Sequence, residues 1–133
     1  MEKPAIASAE DIRNFFEAYN KHDWDSMFNY MSDDCVWDAS EKRMKGRQNI
    51  IDYWVNFHAS FRETLGEPEN VVFGDGMVYL QVPVRLDFIE PGVFSGKRYE
   101  KGGSVDFTCA DFYKLNSEGK IESGCVFVKF NNT

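Results

Sequence analysis

This chain of 133 residues has only two histidines, three cysteines and four prolines. No CxxC pair or Cys/His cluster occurs among them, so the usual zinc spacings are absent and no metal is expected. Cys35, Cys109 and Cys125 each lie in a strand-like segment, and three is an odd number, so they read as buried reduced thiols. Basic residues are also scarce. Fifteen Lys and Arg face 22 Asp and Glu, a net charge of −7. Such a surface gains nothing from counterion release, which excludes nucleic acid and anionic membranes as favoured partners. Apolar runs are only a few residues long, too short for a membrane span. Met1-Glu2-Lys3-Pro4 leads into the polar Ser8-Ala9-Glu10-Asp11 without the apolar stretch of a secretion signal, so a cytoplasmic protein is expected. No GxGxxG, Walker loop, HExxH or GxSxG occurs, leaving nucleotide, metalloprotease and serine-hydrolase chemistry without a carrier.

What is present is apolar and aromatic. Hydrophobic residues make up 43% of the chain, with 12 Phe, 6 Tyr and 3 Trp, enough for one folded domain over residues 1–133. Residues 8 to 65 carry helical spacing and residues 70 to 130 strand spacing, an order that favours an α+β fold. Ser8 caps a first helix bearing Ile12, Phe15, Phe16 and Tyr19, and Asp23 caps a short second one bearing Trp24, Met27, Phe28 and Met31. A short strand follows over Cys35–Ala39, and then a charged turn over Glu41–Arg47. Ile50, Trp54, Phe57, Phe61 and Leu65 predict a long third helix. Asp75-Gly76 marks a tight turn before the alternating run Met77–Phe88, where Pro83 demands a bulge or an edge. Pro91–Gly103 reads as a loop, and Val105–Leu115 with Ile121–Phe130 as a long hairpin around Asn116–Gly119.

Asp111 is the most informative residue. Val105, Phe107, Cys109, Asp111, Tyr113 and Leu115 share one strand face, so a carboxylate sits among apolar neighbours. Such a group pairs with a cation, takes up a proton, or lines a wet cavity; the last two suit general acid or base work, and the first is plain structure. Asp38, at the end of the first strand, is a second candidate, or else a turn residue. His58, beside the apolar stripe of the third helix, is a third candidate, or a satisfied structural histidine. His22, in the Asn20–Asp23 turn, is expected to be solvated. Tyr19, Trp37, Tyr53, Trp54 and Tyr113 are candidate walls of a pocket for a flat hydrophobic ligand, and are equally at home in a core. Arg85 reaches a ligand only if the polar face of its strand lines the cavity.

Three segments carry a resemblance: Tyr19-Asn20-Lys21-His22-Asp23-Trp24, Met31-Ser32-Asp33-Asp34-Cys35-Val36-Trp37-Asp38, and Asp111-Phe112-Tyr113-Lys114-Leu115-Asn116-Ser117-Glu118-Gly119-Lys120-Ile121. In order and spacing, from about Ala9 to Phe130, they resemble the nuclear-transport-factor-2-like superfamily, in particular its SnoaL-like polyketide cyclase and ketosteroid isomerase branches. The resemblance implies a cone-shaped α+β barrel with three N-terminal helices, its curved, mostly antiparallel sheet wrapped around a long helix and a pocket at the wide end. It places Asp111 at the isomerases' oxyanion-binding carboxylic acid, close to the cyclases' acid/base Asp, and Asp38 near the isomerases' base. Phe15 stands where the isomerases have a hydrogen-bonding Tyr, so a true ketosteroid isomerase is not expected. The function implied is a cofactor-free isomerase, cyclase or dehydratase acting by proton transfer on a hydrophobic, polycyclic or carbonyl-bearing small molecule of secondary metabolism. The alternative is a non-catalytic binding or interaction module. A homodimer formed through the sheet is expected from the apolar residues on its outer face.

Overall fold

The computed structural model describes residues 5–39 and 42–130. Helix α1 (Ala9–Asn20) starts where the Ser8 hydroxyl accepts from the Asp11 amide, with Glu10 and Asp11 in its positive first turn. Helix α2 (Trp24–Tyr30) is capped in the same way by Asp23. The chain then turns straight into β1 (Met31–Asp38), so this strand is longer than expected and takes Met31 from the helix. Of the charged turn, Ser40 and Glu41 lie outside the described residues, and Arg43–Lys45 form a short strand, β2.

Helix α3 spans only Arg47–Phe57, which corrects the long third helix expected through Leu65. Phe61–Leu65 is instead a strand, β3. Phe61 and Leu65 fit helical i, i+4 spacing, but Phe61, Glu63 and Leu65 fit the two-residue period equally well. The tie is broken by tertiary structure, because five residues from Phe61 to Leu65 pair antiparallel with Phe88 to Val84. Strand β4 (Glu69–Gly74) and β5 (Met77–Phe88) form a hairpin on Asp75-Gly76, both in the left-handed region of a type I′ turn. The expected loop after β5 holds a separate two-stranded hairpin, β6 (Gly92–Phe94) and β7 (Lys97–Tyr99). Strands β8 (Ser104–Leu115) and β9 (Ile121–Phe130) are the last of the described elements and form the expected hairpin.

Seven strands make one strongly curled mixed sheet in the order β2-β1-β9-β8-β5-β3, with β4 also on β5; β1 runs parallel to β9 and the other pairs are antiparallel. Together with the three helices the sheet forms a half-barrel. Pro83 sits where the outer partner of β5 changes from β3 to β4: pairing stops at Val84 on one side and resumes at Gln81 on the other. On the β8 side the ladder runs unbroken through Pro83, so the missing N–H falls at an edge and no bulge forms. The concave face carries Val78, Leu80, Val82, Val84, Leu86 and Phe88 of β5, all buried, against Ile12, Phe15 and Phe16 of α1 and Ile50 and Trp54 of α3. Among the described residues no helix is long and apolar enough to cross a membrane.

The cysteines divide. Cys35 and Cys109 are buried in apolar surroundings that push both thiols up, Cys35 to about 12. Cys125 is only half-buried, because it lies on the convex face opposite Phe112, which corrects the reading of three buried thiols. One slow thiol per chain is therefore expected to react with a small aromatic disulfide, and Cys125→Ser should abolish that signal. Labelling of two or three thiols in the folded protein would contradict the packing described.

Candidate active site

The curl of the sheet leaves a half-open cavity of about 130 Å³ between the concave face and the helices. The walls are Phe15, Phe16 and Tyr19 of α1, Trp37 of β1, Tyr53, Trp54 and Phe57 of α3, and Phe107, Cys109 and Tyr113 of β8. Phe94 and Ser95 of the β6–β7 hairpin also line it. Thus Tyr19, Trp37, Tyr53, Trp54 and Tyr113 come together around one space.

Asp111 lines this cavity and is only 6% exposed. The strand period puts Tyr113 on the same face, and its hydroxyl donates to Asp111 Oδ2 at 2.6 Å. Asp111 Oδ1 is buried without a hydrogen-bond partner. Burial pushes the carboxyl up to about 7, although the Tyr113 hydroxyl works the other way.

A second carboxyl shares the cavity. Glu63, on the inward face of β3, is pushed up to about 7 by burial and by the charge of Asp111, against the Tyr19 hydroxyl that donates to Glu63 Oε1. Among the described residues that line the cavity none is a cation; the two acids have tyrosine hydroxyls for hydrogen-bond partners, and His58 Nε2 stands 3.9 Å from Glu63 Oε1. Sequence reasoning missed Glu63, because a helix over Phe61–Leu65 places it on the polar side. The alternation Phe61-x-Glu63-x-Leu65 is the signal that exposes it.

His58 lies just past α3, 8% exposed, behind the cavity wall, with Nε2 3.0 Å from the Tyr19 hydroxyl. Burial, with His22 and Arg62 nearby, pushes it down to about 4. His22 stacks on Trp24 with its ring centroid 4.6 Å from that of His58, and its Nε2 is buried; it is not the solvated turn residue expected.

Two candidates lie outside this constellation. Asp38 alternates with Trp37 along β1, and with Trp37 turned inward it stands apart from the cavity lining, between Arg43 and Cys125. Arg85 is exposed on the convex side and is satisfied by Asp87, Asp106 and Ser104. Among the described residues no group of three or more His, Cys, Asp or Glu is placed to hold a metal ion.

The fold recurs in solved structures. A protein assigned as a polyketide cyclase from Xanthomonas campestris superposes with a TM-score of 0.74 at 21% identity, covering 86% of this chain and 84% of that one. IdmH of Streptomyces antibioticus, also assigned as a polyketide cyclase, gives 0.73 at 17% identity over 92% and 93%. SalBIII, an epoxide hydrolase/cyclase-like enzyme of pyran-ring formation in the polyether salinomycin, gives 0.70 at 19% identity over 89% and 87%. At these identities the likeness is one of fold. No curated protein matches the chain at the level of sequence. The model of the SnoaL-like domain matches residues 12–123, nearly the whole described chain, and with it the three helices and the curled sheet around an acid-bearing cavity; the chain belongs to the SnoaL-like domain family.

Proposed function

We propose that this chain is a small-molecule enzyme in which Asp111 moves a proton to and from a hydrophobic, carbonyl-bearing substrate, in an isomerisation, cyclisation or dehydration. The observation that carries this reading is the state of Asp111: buried in an apolar aromatic cavity, joined to a tyrosine hydroxyl and no cation, one oxygen unpartnered, and poised near 7. A carboxyl matched to neutral pH serves equally as base and as acid. The free Oδ1 takes a proton from the carbon beside a carbonyl, and the same oxygen returns it at the product position. Proton movement of this kind calls for no cofactor. Cyclase assignments among the structural relatives support the reaction class. A purely binding module needs no uncompensated acid, and Asp111 paired to a lysine or arginine would have favoured that reading.

The test follows deuterium. Hydrophobic ketones, including polycyclic ones, incubated with the protein in D₂O should gain deuterium at the carbon next to the carbonyl, and Asp111→Asn should slow the gain by about 10² or more. Incorporation at the wild-type rate in the variant overturns the assignment.

The same proposal has the protein working as a homodimer through the convex face of the sheet. Tyr79, Phe112 and Phe127 form an aromatic ridge there, with ring centroids 4.9 and 6.0 Å apart, and Val72 and Met77 beside it are exposed. Light scattering at tens of micromolar should return twice the chain mass, and Phe127→Glu should halve it. A wild-type mass of one chain counts against the interface.

A further inference from the structure

Glu63 is the one cavity acid that the proposal above does not use. Its β5 partner is Leu86, whereas that of Asp111 is Leu80, six residues away. Along a flat strand that is about 20 Å. The curl of the sheet nevertheless turns both carboxyls into one space, close enough for the charge of Asp111 to act on Glu63. Each acid has its own tyrosine: Tyr113 from the next inward position of β8, and Tyr19 from the opposite wall on α1. Only the second arm continues, because His58 Nε2 meets the Tyr19 hydroxyl from behind at 3.0 Å.

The geometry points to Glu63 as a second proton-transfer group, with His58 a positioning residue that acts on it through Tyr19. A phenol has one hydrogen. If the Tyr19 hydroxyl donates to Glu63, it cannot donate to His58, so His58 Nε2 carries the hydrogen and donates to the Tyr19 oxygen. Neutral imidazole has one N–H, which agrees with His58 Nδ1 standing without a partner. The histidine therefore fixes which way the phenol points. The rings of Trp24 and Trp54 hold Tyr19 edge-on at 5.9 and 5.4 Å, which leaves it little freedom to swing.

This rests on the reading of Asp111 as the base and narrows the substrate to an enolisable carbonyl compound worked on at two atoms. Asp111 as carboxylate takes the proton from carbon, and the C–H electron pair becomes the new C=C bond. Glu63 as carboxylic acid gives its proton to the carbonyl oxygen, which receives the C=O π pair. One C–H bond breaks and one O–H bond forms. Asp111 then gives up a proton and Glu63 regains one, so the protein returns unchanged.

The decisive measurement needs no substrate. The carboxyl carbon of Glu63 is followed by NMR against pH in protein labelled with ¹³C-glutamate and assigned with Glu63→Gln. The ionisable groups facing the chain are Asp111, Cys109 and His58 around Glu63, Tyr53, Tyr113 and Cys109 around Tyr19, and His22, Arg62 and Glu63 around His58; apart from the residue replaced, each is unchanged in the variants compared. Removing a hydrogen bond to a carboxylate raises its midpoint, by about one pH unit for a bond of ordinary net strength. Tyr19→Phe should therefore raise the Glu63 midpoint directly. His58→Leu should raise it through Tyr19, because the neutral ring stands 3.9 Å from Glu63 Oε1, beyond hydrogen-bond reach, and His58→Gln, which restores an N–H donor, should bring it back. A midpoint unmoved by His58→Leu or by Tyr19→Phe in folded protein overturns the assignment, as does failure of His58→Gln to restore it. The two readings fail separately. Deuterium incorporation at the wild-type rate in Asp111→Asn removes the base, whereas an unchanged pH profile of incorporation in Glu63→Gln removes the second acid and leaves the base standing.

Discussion

Asp111→Asn should slow deuterium incorporation by about 10² to 10⁴, the usual yield of general acid/base catalysis, and at pH 8 should melt several degrees above the wild type. The two effects have one cause. The folded carboxyl titrates at about 7 rather than 3.8, so folding favours its neutral form. That advantage is fully present below pH 4 and is lost as pH rises through 7. Above 7 the wild type carries a buried charge costing roughly 4 kcal/mol relative to low pH, at about 1.4 kcal/mol per unit. Asparagine escapes this cost and still accepts the Tyr113 hydrogen bond, but it buries an amide NH₂ with no acceptor on the Oδ1 side, a loss of about 1–3 kcal/mol. The net gain at pH 8 is on the order of 1–3 kcal/mol, or roughly 3–5 °C for each kcal/mol in a domain of this size. At pH 4 to 5 the gain vanishes and the variant melts at or below the wild type. His58, pushed down to about 4, contributes the opposite slope, stability present above 6.5 and lost toward 4, but in both proteins alike. Melting curves at pH 5 and pH 8 decide. A variant that loses the same several degrees at both would show Asp111 to be a structural partner whose removal strands a neighbour.

Gly124→Ala is expected to damage stability and cavity together. Gly124 lies on β9 beside Trp37 of β1 and opposite Tyr113 of β8. A Cβ there would meet three ring atoms of Trp37 at 3.0 Å or less. The indole cannot yield freely, because it stands edge-on to Trp54 at 5.2 Å and lies 5.7 Å from Tyr113. Its open direction is the cavity, which it would fill. Overpacking of this kind costs about 1–3 kcal/mol, readable as a lower urea midpoint with unchanged slope. Gly74→Ala is the control: nothing lies within 4 Å of its Cβ, and a change within about 0.5 kcal/mol is expected. Equal losses at the two sites would mean that backbone entropy rather than Trp37 sets the cost.

What could be read in the sequence was whatever a local period determines. The caps at Ser8 and Asp23, the buried alternation of β5 and the inward side of Asp111 all follow from spacing within one element. The misreadings share a different origin. Phe61–Leu65 satisfies two periods at once, and only the free edge of β5 selects the strand; Glu63 was hidden by the same ambiguity. Nothing near Asp38 in the chain reveals that its neighbour Trp37 takes the inward position, because that depends on the close approach of β9. His58 was visible as a candidate, but its partner Tyr19 is 39 residues away on another helix.

The parallel contact of β1 with β9 also bears on the order of folding. It joins Met31 to Ile121 and Trp37 to Gly124, pairs 90 and 87 residues apart in the chain, whereas β4–β5 and β8–β9 close through short turns. Loop-closure entropy makes the distant pairing late, after the hairpins have given it a surface to dock on. Until it forms, Trp37 has no glycine to lie against, and the aromatic wall of the cavity stands open. In stopped-flow refolding, the Trp37 signal should therefore mature in the slowest phase.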